Sequence, residues 1–218
     1  MPFNKVDTTI KSKEYLNNFL NIKDQVLSTY KSKLNEIIFS APGWEGRLPQ
    51  PQIKGWRMTH LFFNGSSTKR DNIKLFDEIK NAFNNLPKGV YVVASGILEA
   101  YPNIEESWHK EPHPKQAGFK RYHIPLVVSD DWALGVKEDD GEKHYHWEVG
   151  SIFEFENPGN EHQVMFLGDN KNTEETRIVW VIDILENNSL NEQQIGQAIK
   201  YSSMVSSGGI CWDKEVLV

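Results

Sequence analysis

The sequence predicts a mainly β protein with flanking helices, in which the strands form a sandwich or a barrel. The first observation is a set of short runs after residue 90 that are rich in β-branched and aromatic residues, the composition of strands. The second is the turn chemistry between them, with Asp-Asp-Gly at 139–141 and Asn-Pro-Gly-Asn at 157–160. Short strands separated by such turns are typical of both architectures. The predicted strands cover 90–98, 120–128, 132–137, 144–147, 151–156, 162–167 and 176–185.

The N-terminal part is predicted to be helical, with one strand. Residues 8–39 carry apolar side chains at helical spacing, and we expect this stretch to break into two helices near Asn21. Residues 56–63, WRMTHLFF, have the composition of a strand. A second amphipathic helix follows and stops before Pro87. We expect these helices to buttress a sheet.

Length and composition limit the number of domains. The chain has 218 residues, of which 39% are hydrophobic, which is enough to bury a sizeable core within one structural domain. We divide that domain into an N-terminal part, 1–89, packed on the core, a β-rich core, 90–186, and a C-terminal helix and tail, 187–218.

Charge and cysteine usage exclude several classes of protein. The formal net charge of −6 argues against a nucleic-acid partner, which would need a basic face. No apolar run approaches the roughly 18 residues of a membrane span. The single cysteine, Cys211, excludes an internal disulfide framework, and no apolar stretch follows a basic start as in a signal peptide. We therefore expect a cytoplasmic protein.

Two of the predicted strands carry polar residues on one face only. Alternation in 120–128 places Arg121 and His123 on one face, and alternation in 176–185 places Arg177 on the same face as two valines. A buried charge needs an anionic partner, so we expect these faces either to line a ligand site or to hold a structural salt bridge to an Asp or Glu. The opposite faces are apolar, with Tyr122, Ile124, Leu126 and Val128 in the first strand and Ile178, Trp180 and Ile182 in the second.

Three further residues have the chemistry of a metal site. His109 and Glu111 are two residues apart, so both side chains project to one face of an extended segment. His162 begins a later predicted strand. Two imidazoles and one carboxylate leave several coordination positions open, an arrangement that suits non-haem Fe(II) and its oxygen chemistry. His109, Glu111 and His162 are therefore the candidate metal ligands.

The two arginines and the histidine of the polar faces offer donors for a dicarboxylate. A guanidinium group presents a planar fork that matches a carboxylate bidentately. Arg121, His123 and Arg177 are accordingly the candidate residues for holding a dicarboxylate cosubstrate beside the metal.

Four segments together resemble the aspartyl/asparaginyl β-hydroxylase family of Fe(II)- and 2-oxoglutarate-dependent oxygenases. The resemblance extends over about 90–186, and its specificity comes from the order of the segments rather than from any one of them. It implies a double-stranded β-helix, the jelly-roll or cupin-like core of that family. The segments are RYHIPLVV, HWEVGSIFEFEN, EHQV and TRIVWVIDI.

The resemblance also assigns roles to individual residues. Arg121 and His123 match the family's Arg-x-His, which helps to hold 2-oxoglutarate. His162 matches the downstream metal-ligating histidine, and Arg177 matches the arginine that pairs with the far carboxylate of the cosubstrate. Each of these roles is an expectation carried over from the family.

The upstream metal site departs from the family pattern. Relatives carry either a His-x-Asp pair or a histidine without an acid, whereas this chain offers His109-x-Glu111 and, four residues later, His113-x-Lys115. We prefer His109 and Glu111, because they complete a set of two histidines and one carboxylate. His113, without a carboxylate, is the alternative upstream ligand.

The activity implied by the resemblance is that of a 2-oxoglutarate-dependent dioxygenase. With Fe(II) and O₂, oxidative decarboxylation of 2-oxoglutarate to succinate would be coupled to hydroxylation of an amino acid or of an Asp/Asn-type side chain. The substrate partner is thus a small molecule or a peptide. Two alternatives remain: a cupin-like metal protein that does not use 2-oxoglutarate, in which Arg121 and Arg177 bind substrate, and a non-catalytic binding module on the same fold.

Overall fold

Two antiparallel sheets and two α-helices make up the part of the chain that the computed structural model describes, namely residues 3–37, 55–63, 72–109, 119–155, 160–169 and 175–186. The mainly β prediction is confirmed. In chain order the elements are β1 (Phe3–Lys5), α1 (Asn17–Ser32), β2 (Trp56–Phe63), α2 (Asp77–Asn84), β3 (Val90–Ala100), β4 (Phe119–Val127), β5 (Trp132–Glu138), β6 (Gly141–His146), β7 (Phe153–Phe155), β8 (His162–Phe166) and β9 (Arg177–Glu186).

The larger sheet has the strand order β1-β7-β4-β9-β3-β2, and the smaller sheet has the order β6-β5-β8. Each strand predicted from the sequence is present; β2 has the predicted bounds, and the other predicted strands are shifted at one end or both. The Asp-Asp-Gly turn connects β5 to β6, where Glu138 pairs with Gly141. Gly141 has a φ of 125°, a conformation that glycine adopts without the penalty of a side chain. The short strand β1 was not predicted.

Strand β9 lies at the centre of the larger sheet because its side chains are mostly apolar and buried on both faces. It pairs with β3 on one side and with β4 on the other. Ile178, Trp180 and Ile182 belong to the apolar cluster on the helix side, as the alternation predicts. The indole of Trp180 is fully buried there.

Helix α1 runs without interruption through Asn21, so the predicted break near that residue is wrong. Asn21 is on the exposed side of the helix, where its low helix propensity costs less than about 1 kcal/mol. Burial of Phe19, Val26 and Tyr30 on the opposite side outweighs that cost. The second helical region begins as a 3-10 turn and continues as α2, which buries Ile79. The C-terminal helix and tail predicted for 187–218 lie outside the described residues.

The two faces of the larger sheet contact different apolar clusters. One cluster joins α1 and α2 to β3, β4 and β9. The other contains residues of both sheets and therefore lies between them: Phe3, Trp132, Leu134, Val136, Trp147, Phe153, Phe155 and Val164 are among its members. The described helices thus cover the outside of the larger sheet, and the space between the sheets is left for the site.

A buried carboxylate attaches α1 to the strands beneath it. Glu99 of β3 accepts hydrogen bonds from the Tyr30 hydroxyl at 2.7 Å, from Arg57 Nε at 2.8 Å and from the Tyr101 hydroxyl at 2.8 Å. Because a buried charge is tolerated when its hydrogen bonds are made, this network orients the N-terminal helix on the sheet. In the part of the chain that the structure describes, no helix is both long and apolar enough to cross a membrane.

Candidate metal and cosubstrate site

The polar faces of β4 and β9 point into the space between the two sheets. Their alternate residues, such as Tyr122 and Trp180, lie in the helix-side cluster, so Arg121, His123 and Arg177 face the opposite way. Strand register places Arg121 opposite Asp183 and His123 opposite Val181. The predicted strand faces therefore meet in one interior.

Backbone pairing brings His109 and His162 together. The His109 amide donates to the His162 carbonyl at 3.1 Å, and the His162 amide donates to the His109 carbonyl at 2.9 Å. The centres of the two imidazole rings are 4.5 Å apart. Two predicted ligands that are distant in sequence are thus neighbours, with His162 almost fully buried.

Both imidazoles are held in the same tautomer by the chain just before them. His109 Nδ1 is 3.0 Å from the carbonyl oxygen of Ser107, and His162 Nδ1 is 2.9 Å from the carbonyl oxygen of Asn160. A carbonyl oxygen only accepts hydrogen bonds, so each Nδ1 carries the proton and each Nε2 keeps its lone pair. Metal-ligating histidines usually have their second nitrogen fixed in this way, and the pair therefore fits a transition-metal ion.

Glu111 and His113 lie outside the described residues, so the third ligand stays a prediction. Within the residues that the structure does describe, no three His, Cys, Asp or Glu side chains are arranged to hold a metal ion. The nearby carboxylate of Glu106 approaches His109 at Nδ1, with 4.0 Å between Oε1 and that nitrogen. Glu106 was not singled out from the sequence, where it looks like any charged loop residue.

Arg177 is a fully buried cation. Its side chain is 0% exposed, and within the described part of the chain Nε, Nη1 and Nη2 have no hydrogen-bond partner. The guanidinium carbon lies 3.9 Å from the centre of the Trp147 ring. Burial lowers the pKa of Arg177 to about 9, against a smaller opposing effect from Glu106. Such a group fits a carboxylate, which would supply both the missing acceptors and the missing charge.

His123 is a neutral donor beside this cation. Burial, followed by the positive charges of Arg177 and Arg121 and by His162, lowers the pKa of His123 well below its usual value. Trp147 Nε1 donates to His123 Nδ1 at 3.4 Å. Because Nδ1 accepts, the proton of the neutral ring is on Nε2, which leaves an N–H group able to donate to a carboxylate oxygen.

Arg121 makes a bidentate ion pair across the strands. Its Nε and Nη2 donate to the two carboxylate oxygens of Asp183 at 2.7 and 2.9 Å. Asp183 is buried, so this pair neutralises two charges that a closed interior would otherwise disfavour. A role of Arg121 in holding the cosubstrate stays a prediction, and such a role would use the guanidinium edge that faces away from Asp183.

Aromatic rings form the wall around the two buried histidines. Phe155 meets His162 edge-on with 4.9 Å between ring centres, and Phe3 meets His123 in the same manner at 5.4 Å. Trp147 is stacked parallel to His123 at 6.3 Å. This apolar lining lowers the local dielectric and strengthens electrostatic contacts inside the site.

Sequence reasoning missed several of these residues for different reasons. Asp183 lies on the same face as Arg177 in a strand that is otherwise apolar, and this pattern could have identified it as a residue of the site. From the sequence, Trp147 is expected only to lie in the core or in a cavity wall, because its contacts to Arg177 and His123 depend on the folding of three separate segments. Phe3 belongs to a strand of three residues, too short for a periodic pattern.

A family model agrees with the architecture. The model described as aspartyl/asparaginyl beta-hydroxylase matches residues 17–187, which includes both helices and strands β2 to β9 but not β1. The match extends further toward the N-terminus than the 90–186 expected from the sequence segments. No curated protein matches this chain by sequence.

The fold is also found in solved structures. The chain is similar to a prolyl hydroxylase from Trichoplax adhaerens in complex with a hypoxia inducible factor peptide fragment, with 10% identity, a TM-score of 0.52, and coverage of 90% of this chain and 86% of that chain. A prolyl-4-hydroxylase from Pseudomonas putida has 12% identity and a TM-score of 0.48, with 86% and 94% of the two chains covered. HygX from Streptomyces hygroscopicus, with nickel and 2-oxoglutarate bound, has 8% identity and a TM-score of 0.46, with coverages of 86% and 84%.

Proposed function

The chain belongs to the aspartyl/asparaginyl β-hydroxylase family of Fe(II)- and 2-oxoglutarate-dependent hydroxylases with a double-stranded β-helix fold, and from this premise we propose which residues perform its reaction. His109 and His162 bind iron through Nε2, with Glu111 as the third ligand and His113 as the alternative to the upstream pair. Arg177 binds the far carboxylate of 2-oxoglutarate, and Arg121 and His123 support the cosubstrate.

The observation that carries this proposal is the state of Arg177. A buried guanidinium whose three nitrogens find no hydrogen-bond partner among the described residues is costly unless an anion enters beside it. The carboxylate of 2-oxoglutarate provides two acceptor oxygens in the geometry that a guanidinium fork matches. His123, with its donor on Nε2, is held beside it by the shared contact to Trp147.

Each residue contributes a separate task to the reaction. Bound iron would supply the oxidation chemistry by which 2-oxoglutarate, O₂ and a C–H substrate become succinate, CO₂ and the hydroxylated product. The two carbonyl-anchored histidines hold the ion without a change of tautomer. Arg177 neutralises cosubstrate charge, and the rings of Phe155 and Trp147 exclude water from the site.

The substrate is an amino acid or an Asp/Asn-type side chain in a peptide. This substrate class is inferred from the family. It is not inferred from the peptide bound to the Trichoplax adhaerens hydroxylase, which concerns that protein alone. Within the class we favour a free amino acid or a short peptide. The expected cytoplasmic location is part of the same proposal, in keeping with a chain whose only cysteine, Cys211, cannot form an internal disulfide.

The test is an anaerobic titration of the metal-free protein with Fe(II) and then with 2-oxoglutarate. We expect a weak visible charge-transfer band when the keto acid binds to the iron. His162→Ala should lose iron binding, and Arg177→Ala should keep iron but lose the band at moderate 2-oxoglutarate concentrations. His144→Ala is the matched control, because His144 is an exposed histidine on β6 whose Nε2 contacts Glu142.

Two outcomes would change the assignment. Iron binding without the band in the parent protein would favour a cupin-like metal protein, with Arg121 and Arg177 reassigned to substrate. Loss of iron in His113→Ala together with its retention in His109→Ala would move the upstream ligand to His113. Succinate release is then measured first with free amino acids and then with peptides. Release that exceeds the substrate-free background would identify the substrate class.

A further inference from the structure

We propose that Glu106 and Trp108 are positioning residues that hold His109 against β8 and thereby set the spacing of the two metal-binding imidazoles. The inference rests on the proposed function, since it assumes that His109 and His162 bind a metal ion. It concerns the segment 106–109, in which residues 106–108 directly precede the proposed metal ligand His109.

The segment occupies the open edge of the smaller sheet. β8 is the last strand of that sheet, so alternate backbone amides on its outer side need partners. The amide of His162 donates to the His109 carbonyl at 2.9 Å. Two residues further on, the amide of Val164 donates to Oε2 of Glu106 at 2.5 Å. Glu106 thus takes the place that the next residue of a longer paired strand would fill.

The carboxylate of Glu106 is built into this position. Its side chain is 6% exposed, and a hydrogen bond from a backbone amide to a charged carboxylate is stronger than a neutral one. Without Glu106, the Val164 amide would lose this partner at a buried edge, at a cost in free energy. The segment is therefore attached to β8 both at His109 and three residues before it.

Glu106 is on the wrong side of the His109 ring to be a metal ligand itself. Its Oε1 is 4.0 Å from Nδ1, the nitrogen that donates to the Ser107 carbonyl. The nitrogen available to a metal ion is Nε2. Glu106 therefore acts through the placement of His109 rather than through coordination.

Trp108 attaches the same segment from the outer face of the sheet. A Cβ atom added to Gly135 would lie 3.0 Å from Cη2 of Trp108 and 2.6 Å from the Met165 sulfur, so the indole fits because residue 135 has no side chain. The Lys137 ammonium lies 4.8 Å from the centre of the Trp108 ring. Leu134 and Val136 face the interior, which places Gly135 and Lys137 on the outer face.

The two side chains attach the segment to the smaller sheet at different places. Glu106 contacts the edge of β8 beside Val164, and Trp108 lies over Gly135 and Lys137 of β5. A segment held by only one of them could rotate about the backbone bridge and move the His109 ring relative to His162. Residues that orient metal ligands typically change metal affinity by about 10- to 100-fold when they are removed.

The test measures Co(II) affinity in the absence of 2-oxoglutarate and O₂, by the visible absorption of the bound ion, together with the thermal unfolding of each metal-free variant. We expect Glu106→Ala to weaken Co(II) binding by about tenfold or more. Glu106→Gln should recover most of that loss, because the amide oxygen accepts the same hydrogen bond. Trp108→Leu should weaken binding several-fold. Glu105→Ala, in the exposed neighbouring position, is the matched control and should bind as the parent does.

Each other outcome has a definite meaning. Parent-like affinity in Glu106→Ala overturns the role of Glu106, and an equal loss in Glu106→Gln and Glu106→Ala also overturns it, in favour of a charge or ligand role. If Glu106→Ala does not fold, parent-like affinity in Trp108→Leu overturns the inference. His162→Ala distinguishes failure of the proposed metal site from failure of this inference. If His162→Ala binds Co(II) like the parent, the proposed metal site is wrong. If His162→Ala loses Co(II) binding while Glu106→Ala has no effect, only this inference is contradicted.

Discussion

The guanidinium carbon of Arg177 lies 3.9 Å from the centre of the Trp147 indole ring, and the same indole donates from Nε1 to His123 at 3.4 Å. One side chain thus connects the two residues expected to hold the cosubstrate. The contact of a cation with an aromatic face offsets part of the cost of burying the charge. It does not replace hydrogen bonds, which the guanidinium does not make to any residue that the structure describes, so a carboxylate still has a place to bind.

Replacing Arg177 by methionine should stabilise the protein in the absence of cosubstrate. An apolar side chain of similar length removes a buried charge, and comparable replacements raise stability by about 1–4 kcal/mol. The same variant should lose the increase in melting temperature that 2-oxoglutarate gives the metal-loaded parent. Thermal unfolding with and without 2-oxoglutarate measures both effects. A variant that is less stable than the parent yet still responds to 2-oxoglutarate would contradict the assignment of Arg177.

Replacing Trp147 by phenylalanine should weaken 2-oxoglutarate binding and leave metal affinity unchanged. Phenylalanine keeps a smaller aromatic face over Arg177 but cannot donate to His123, so the tautomer of that imidazole is no longer held. We expect the Kd for 2-oxoglutarate to rise about threefold to tenfold, or about 0.6–1.4 kcal/mol. Calorimetric titration with Co(II) and then 2-oxoglutarate separates the two affinities. Trp56→Phe, at the margin of the same apolar cluster, is the control, and an equal effect there would indicate a general packing defect.

Local sequence patterns predicted most of the β core but only part of the site. The parity of Arg177 in β9 and of Arg121 in β4 placed both residues on interior faces, because alternation in a strand is a local property. The pairing of β1 with β7 could not be predicted, since Phe3–Lys5 has no periodicity over three residues. The role of Glu106 could not be predicted from local patterns either, because its hydrogen bond with Val164 joins residues 58 positions apart.

The affinity for 2-oxoglutarate should fall as the pH rises through about 9. The cation is the binding form of Arg177, and burial lowers its pKa to about 9, so deprotonation above that pH removes the charge that attracts the carboxylate. Near pH 6.5 the affinity should show no step from His123, whose pKa is already lowered well below that value. Calorimetric titrations between pH 6 and pH 10 measure this profile. Arg177→Met should lose the decline near pH 9, and a decline of the same size in that variant would assign it to another group.

The ion pair of Arg121 with Asp183 allows the role of Arg121 to be tested apart from its contribution to stability. Asp183→Asn breaks this largely buried ion pair, and we expect a loss of about 3–5 kcal/mol in the free energy of unfolding. A double variant with Arg121→Met and Asp183→Leu removes both charges and should recover most of that stability, as a double-mutant cycle measured by urea denaturation would show. Its Kd for 2-oxoglutarate then decides the predicted role of Arg121. A rise of tenfold or more means that Arg121 contacts the cosubstrate, whereas a parent-like Kd would leave Arg177 and His123 to hold it, with the Arg121–Asp183 pair joining β4 to β9 beneath them.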